Sequence, residues 1–331
     1  MRTRGVLLAV LLASVLGGCG SSSDETPNRS ASLLLDFTPN AVHAGIFSAV
    51  RRHYDTAEGV RLNVRAPASG TDATKLLLAG RTQFAVLDLH DLAIARERGR
   101  DLVAVMALVQ QPLASVLAQP GIRTPRQLEG RRVGVTGLPS DDAVLKSVVA
   151  GAGGDPGRVR TVTIGFNAVQ SLVAKRVAGA TAFWNVEGVA FKERRPGARD
   201  FRVDQFGAPA YPELVLVTSR QTLDDEPSLV RATVRALIRG YRFTLSDPQS
   251  SAQDLIARNR GLKPADVRAQ LGVLDTAFLG AAGRFGTLDP AALRKWAAWE
   301  ARFGIVSKPP DVDAMFAPGD AAEAPQNDSG G

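Results

Sequence analysis

Cysteine is nearly absent from this chain: Cys19 is the one instance in 331 residues. That excludes a disulfide within the chain and any cysteine-built metal cluster. Histidine is scarce too, at three residues, which leaves metal chemistry few ligands. The apolar run near the N-terminus, Val6 to Gly18, stops at 13 residues, too short to span a bilayer. Basic blocks interleaved with aromatics are missing. The formal net charge of +7 comes from arginines scattered along the sequence, so no nucleic-acid partner is expected. The hydrolase and metalloprotease patterns GxSxG and HExxH do not occur.

What is present suffices for a folded, two-part body. The length allows two lobes with separate cores, and 45% hydrophobic with 22% charged residues is ordinary globular composition. Arg2 and Arg4 followed by the apolar run read as a signal peptide over residues 1–18. The sequence LGGC, Leu16 to Cys19, resembles a bacterial lipobox. It implies that Cys19 is lipidated and becomes the first mature residue, holding the protein to the extracytoplasmic face of the membrane. Residues 19–31 are small and polar and read as a flexible tether; residues 307–331 read as a disordered tail.

Between these ends, short apolar runs alternate with helical patterns. Strands are expected at Leu33–Asp36, Arg61–Arg65, Phe84–Leu87, Leu102–Ala107, Val116–Ala118, Arg132–Val135, Val159–Ile164, Ala180–Trp184 and Leu214–Thr218. Helices are expected at Val42–Tyr54, Asp72–Ala79, Leu89–Arg98, Asp141–Gly151, Ala168–Val177 and Glu187–Arg194. This alternation predicts an α/β fold with mostly parallel sheets. From Ser228 onward only helices are expected, several opening on a capping residue beside a proline.

Four stretches carry a family likeness: DFTPNAVHAG, GTDATKLLLAGRTQFAVLD, IRTPRQLEGRRVGVTG and FWNVEG. They resemble the bacterial solute-binding proteins of ABC importers. More narrowly they are similar to the branch that binds thiamine pyrimidine precursors, which is related to the fungal pyrimidine synthases. The resemblance implies the type II periplasmic-binding-protein fold, two α/β lobes joined by two crossing strands. Residues 32–112 plus 219–306 would form lobe one and residues 113–218 lobe two, with crossings at Leu108–Ala118 and Tyr211–Ser219. It also implies a ligand between the lobes at the strand ends.

Strand ends and crossings supply the candidate binding residues: Asp36, Phe37, Asn40, His43, Ser69, Gly70, Thr71, Asp88, Gln110, Trp184, Asn185 and Glu187. Ionised carboxylates favour a neutral or cationic ligand rich in N–H donors. Phe37 and Trp184 are expected to stack on a flat ring from opposite lobes. Each residue also has a structural reading. Phe37 suits a lobe core, Asp36 and Asp88 suit caps, and His43 suits a helix start or contact with Asn40. Ser69 to Thr71 suit a helix cap, and Glu187 suits a charge at a helix N-terminus.

The expected function is a solute-binding lipoprotein that takes a small planar nitrogen heterocycle of the thiamine-precursor kind. It would deliver that ligand, as a monomer, to an ABC permease and ATPase. Other ligands stay open, among them riboflavin, a sulfonate or nitrate. So does a lipid-anchored enzyme of pyrimidine synthesis, although the fungal synthases use a lysine-bound pyridoxal phosphate and a cysteine-rich stretch, and this chain has no such stretch. No cofactor is expected.

Overall fold

The computed structural model describes residues 29–68, 72–138, 140–280 and 283–317. Its ten strands are β1 (Arg29–Leu34), β2 (Val60–Arg65), β3 (Phe84–Asp88), β4 (Leu102–Ala107), β5 (Ala114–Ala118), β6 (Arg132–Val135), β7 (Arg160–Thr163), β8 (Gly179–Phe183), β9 (Arg199–Arg202) and β10 (Leu214–Ser219). They form two five-stranded sheets, in the orders β2-β1-β3-β10-β4 and β7-β6-β8-β5-β9. β10 is antiparallel to β3 and β4, and β5 is antiparallel to β8 and β9. The other pairs are parallel. Each sheet is therefore mostly parallel with one reversed strand, and the two lobes repeat one plan.

Helices cover the first sheet on both faces, and its inner strands are correspondingly apolar. All six residues of β4 are buried, as are Phe84, Ala85, Val86 and Leu87 of β3. The edge strand β7 is exposed throughout and polar, which blunts its unpaired edge. Lobe one begins with α1 (Ala44–Arg51), α2 (Tyr54–Ala57), α3 (Asp72–Leu78) and α4 (Leu89–Glu97). Lobe two carries α5 (Asp141–Gly151), α6 (Ala168–Val173) and α7 (Glu187–Arg194). The chain then returns through α8 (Arg220–Asp225), α9 (Pro227–Ser246), α10 (Pro248–Arg258), α11 (Pro264–Leu271), α12 (Asp275–Leu279), α13 (Pro290–Arg302) and α14 (Val312–Met315). Proline stands in the first turn of α9, α10, α11 and α13, where its missing N–H costs no helical bond. Asp247 and Asp289 cap α10 and α13; Lys263, before α11, makes no side-chain cap.

α1 and α9 cross closely enough to require two glycines. A Cβ on Gly240 would lie 2.1 Å from the Gly45 carbonyl oxygen, and one on Gly45 would lie 2.3 Å from the Tyr241 ring. Gly45, near the helix start, thus serves the packing of lobe one.

Several boundaries differ from the sequence reading. β1 starts at Arg29, inside the stretch expected to be tether. Residues Arg29 to Leu34 pair one-for-one with β2, so the partner strand, not side-chain hydrophobicity, defines this strand. β9, of sequence RDFR, was not foreseen because a polar edge strand carries no apolar signal. The helix expected over Val42–Tyr54 breaks where His53 takes a left-handed conformation, φ 59°. β10 belongs to the first sheet, so lobe one resumes at Leu214 rather than at residue 219. The chain from Ser307 to Ala317, expected to lack structure, packs on lobe one. α14 leads to Phe316, and the Ala317 N–H donates to the Ala104 carbonyl at 2.9 Å. Residues 1–18, Cys19 and the tether up to Asn28 lie outside the described residues, as does the tail beyond Ala317. Among the described residues no helix is long and apolar enough to cross a membrane.

Candidate functional site

A cleft lies between the sheets, with about 730 Å³ of atom-free space that includes the open solvent at its mouth. Lobe one lines it with Asp36, Phe37, Ala73, Leu87, Asp88 and Asp91; lobe two adds Ser115, Thr136, Ser140, Asp141, Phe166, Thr181, Phe183 and Glu187. Most of these residues come from the C-terminal ends of parallel strands and the starts of the helices that follow, where open α/β sheets leave a crevice, and Ser115 comes from the start of the reversed strand β5. Five of them are carboxylic acids, and no lysine, arginine or histidine is among the described lining residues. This acidity stands against a chain of net charge +7.

The turn after β1 is built to present Asp36 and Phe37. Asn40 caps the next turn: its side chain accepts from the Val42 N–H at 2.9 Å and donates to the Thr38 carbonyl at 3.0 Å. The Asn40 N–H in turn donates to His43 Nδ1 at 3.2 Å, which leaves Nε2 to donate to Asp36 Oδ1 at 2.8 Å. His43 is fully buried and does not line the cleft. Asn40 and His43 therefore hold Asp36 in position. Of these three grouped polar residues, Asp36 lines the cleft and Asn40 and His43 support it from behind.

Across the cleft, Phe166 meets Phe37 edge-on, with ring centres 4.3 Å apart and planes at 72°. Trp184, expected to face Phe37 across the cleft, does not line it. Trp184 is buried, and its indole N–H donates to the Pro112 carbonyl at 2.9 Å. The guanidinium of Arg202 lies 3.9 Å from its ring centre. Trp184 thus packs the first crossing between the lobes. Asn185 is also buried away from the lining, and its amide O and N have no hydrogen-bond partner. Gln110 donates to the Thr287 carbonyl at 2.8 Å, tying the crossing to the segment before α13. Ser69, Gly70 and Thr71 lie outside the described residues.

The carboxyls differ in what holds them. Glu187, at the start of α7, has its pKa pushed up to about 7 by burial, with the Asp36 charge adding to the push. Asp141 is raised by burial, and four donors oppose that rise: the Thr136 and Thr181 hydroxyls and the N–H groups of Gly137 and Leu138. Asp91 is pushed well up by burial and by the charge of Asp88. Its Oδ1 is shut off from solvent with no hydrogen-bond partner. Asp88 caps α4 by accepting from the His90 N–H at 2.8 Å, and burial raises it strongly. Phe166, Asp91 and Asp141 were not singled out from sequence. Asp91 stands three residues after Asp88 on α4, a spacing that shares a helix face, and that signal was available.

Behind Asp88 lies a buried cluster. His90 bonds Glu300 through Nδ1 and the Tyr211 hydroxyl through Nε2, at 3.0 Å for the latter. Burial alone would lower the His90 pKa, but Glu300 and Asp88 outweigh it and raise it to about 10, so the ring is charged. Asp88, His90 and Glu213 bring potential ligand atoms within 4.8 Å of one another. Both ring nitrogens of His90 already have partners, Glu300 and the Tyr211 hydroxyl, so the group stands as a hydrogen-bonded cluster. Glu213 instead accepts from the N–H groups of Leu113 and Ala114, at 2.5 and 2.8 Å, fastening the second crossing to the first.

Two sheets of one plan, two crossings and an interlobe cleft define a two-lobed binding-protein fold. Solved structures share it. The ligand-binding component of an ABC-type import system from Staphylococcus aureus superposes with TM-score 0.72 at 13% identity, over 91% of this chain and 100% of that one. The alkanesulfonate-binding protein SsuA from Xanthomonas axonopodis pv. citri gives 0.69 at 17%, over 87% and 98%. At such identities the likeness establishes the fold alone. The chain belongs to the NMT1/THI5-like family, whose model matches residues 40–251. Among curated relatives, a formylaminopyrimidine-binding protein of Halalkalibacterium halodurans is 29% identical over 256 residues, 76% of this chain and 77% of that protein. A 4-amino-5-hydroxymethyl-2-methylpyrimidine phosphate synthase of Legionella pneumophila is 25% identical over 224 residues, 66% and 70% of the two chains.

Proposed function

We propose that this protein is the extracytoplasmic solute-binding component of an ABC importer and that it binds a thiamine-type aminopyrimidine in the interlobe cleft. One observation carries the reading: five carboxyls and three phenyl rings line a cleft in which no cationic side chain appears among the described residues. Carboxyls accept from an exocyclic amine and from ring N–H groups, and phenyl rings favour a flat aromatic guest. A sulfonate or nitrate would meet carboxyls there and no cationic side chain among the described lining residues. The formylaminopyrimidine-binding relative supports the same choice.

Synthase chemistry is disfavoured on the lining residues. A lysine-bound pyridoxal phosphate needs an amine to form its Schiff base and cations for its phosphate, and the described lining supplies neither. The partners in this reading are a permease and an ATPase, with Cys19 carrying a lipid that keeps the protein at the membrane. Thermal shift with the purified chain tests the ligand class. The 5-hydroxymethyl and formylaminomethyl aminopyrimidines should raise the melting temperature in proportion to the logarithm of their concentration, whereas alkanesulfonate and nitrate should not. A shift with sulfonate alone, or product formed from a pyrimidine, would overturn it.

A further inference from the structure

The cleft holds more carboxyls than an aminopyrimidine ring can answer. Its carboxyls fall into two groups, each spanning both lobes. Asp36 of lobe one acts on Glu187 of lobe two. Asp91 of lobe one acts with Asp141 of lobe two, and Asp88 stands beside them. Like charges brought together across a closing cleft oppose closure unless something between them compensates.

The two groups are unequally provided for. Asp36 is held by His43, and Asp141 is enclosed by two hydroxyls and two backbone N–H groups. Asp91 has the Ser140 hydroxyl from the opposite lobe and nothing on Oδ1, although that oxygen is buried. A buried carboxylate oxygen without a donor is costly, and the cost falls away when a charged donor reaches it.

We propose that the ligand is bound as a cation: a pyrimidine whose side chain ends in a protonated primary amine, seated against Asp91, with the flat ring near Phe37, Phe166 and Glu187. The proposal rests on the aminopyrimidine reading and narrows it. The ring's exocyclic amine serves the Asp36–Glu187 group, and the ammonium serves the Asp91 group. A side-chain hydroxyl or formamide is a neutral donor and brings Asp91 no counter-charge to offset its burial. A phosphate ester adds charge of the wrong sign.

Isothermal titration of the full chain at pH 7.5 tests this with four probes: the 5-aminomethyl, 5-hydroxymethyl, 5-formylaminomethyl and 5-phosphooxymethyl forms of 4-amino-2-methylpyrimidine. The aminomethyl form should bind at least about tenfold more tightly than the neutral forms, the gain expected of one charge-assisted bond over a neutral one. The phosphate should be the weakest. In Asp91→Asn the advantage of the amine over the hydroxymethyl form should shrink to about threefold or less. Equal binding of amine and hydroxymethyl forms by the wild type, or a preference for the formylated one, overturns the proposal whether or not the variant folds. So does an Asp91→Asn variant that weakens every probe equally. If no pyrimidine binds at all, the aminopyrimidine reading fails, and this one with it.

Discussion

Phe37 and Phe166 touch edge-to-face at 4.3 Å although one follows the first strand of lobe one and the other follows β7 of lobe two. The two rings meet across the cleft, and a flat ring seated between them must part them. An edge-to-face pair contributes about 0.5–1.5 kcal/mol. Phe166→Ala should therefore raise the open fraction of the ligand-free protein, seen as a larger radius of gyration in small-angle scattering. It should also weaken aminopyrimidine binding by up to about tenfold. An unchanged radius together with an unchanged affinity would separate this contact from both closure and binding.

Glu187 links cleft and pH. Its carboxyl titrates near 7 in the folded protein against an ordinary 4.5, because burial disfavours the charged form. A carboxyl raised in this way stabilises the folded state fully below about 4.5, and that contribution is lost as the pH rises through about 7. The loss amounts to at most about 3 kcal/mol. Ligand-free Glu187→Gln should thus melt above wild type at pH 8 and level with it at pH 4. Melting curves in which the two proteins differ by the same amount at both pH values would place Glu187 outside this linkage.

Glu213 should matter more to folding than any lining residue. Its buried carboxyl accepts from two N–H groups of the first crossing and stands 4.0 Å from charged His90. Glu213→Ala leaves both donors unpaired at about 1–3 kcal/mol each. Glu213→Gln keeps an acceptor and should cost less than half as much by urea denaturation. Equal losses for the two variants would show that the charge, and not the acceptor, is what the crossings need.

Trp184 separates packing from recognition. Trp184→Phe should keep the buried ring and lose the bond to Pro112, at about 1 kcal/mol of stability. Affinity for an aminopyrimidine should stay within about twofold of wild type. A large loss of affinity at unchanged stability would return Trp184 to the list of ligand contacts.

The sequence alone determined the α/β lobes, because apolar runs and helical periodicity are local and survive without knowledge of partners. β4, β6, α5 and α7 lie where those patterns place them. It also determined which turns carry polar groups, including the one that ends in Asp36 and Phe37. The tertiary structure decided what each of those groups faces. Trp184 turns toward the first crossing and Phe166 toward the cleft because β8 and β7 enter the second sheet at different positions. Asp91 and Asp141, far apart in the chain, bear on one another only because α4 and α5 begin at a shared cleft. Contacts of that kind depend on how two sheets are set against each other, and no stretch of neighbouring residues encodes that.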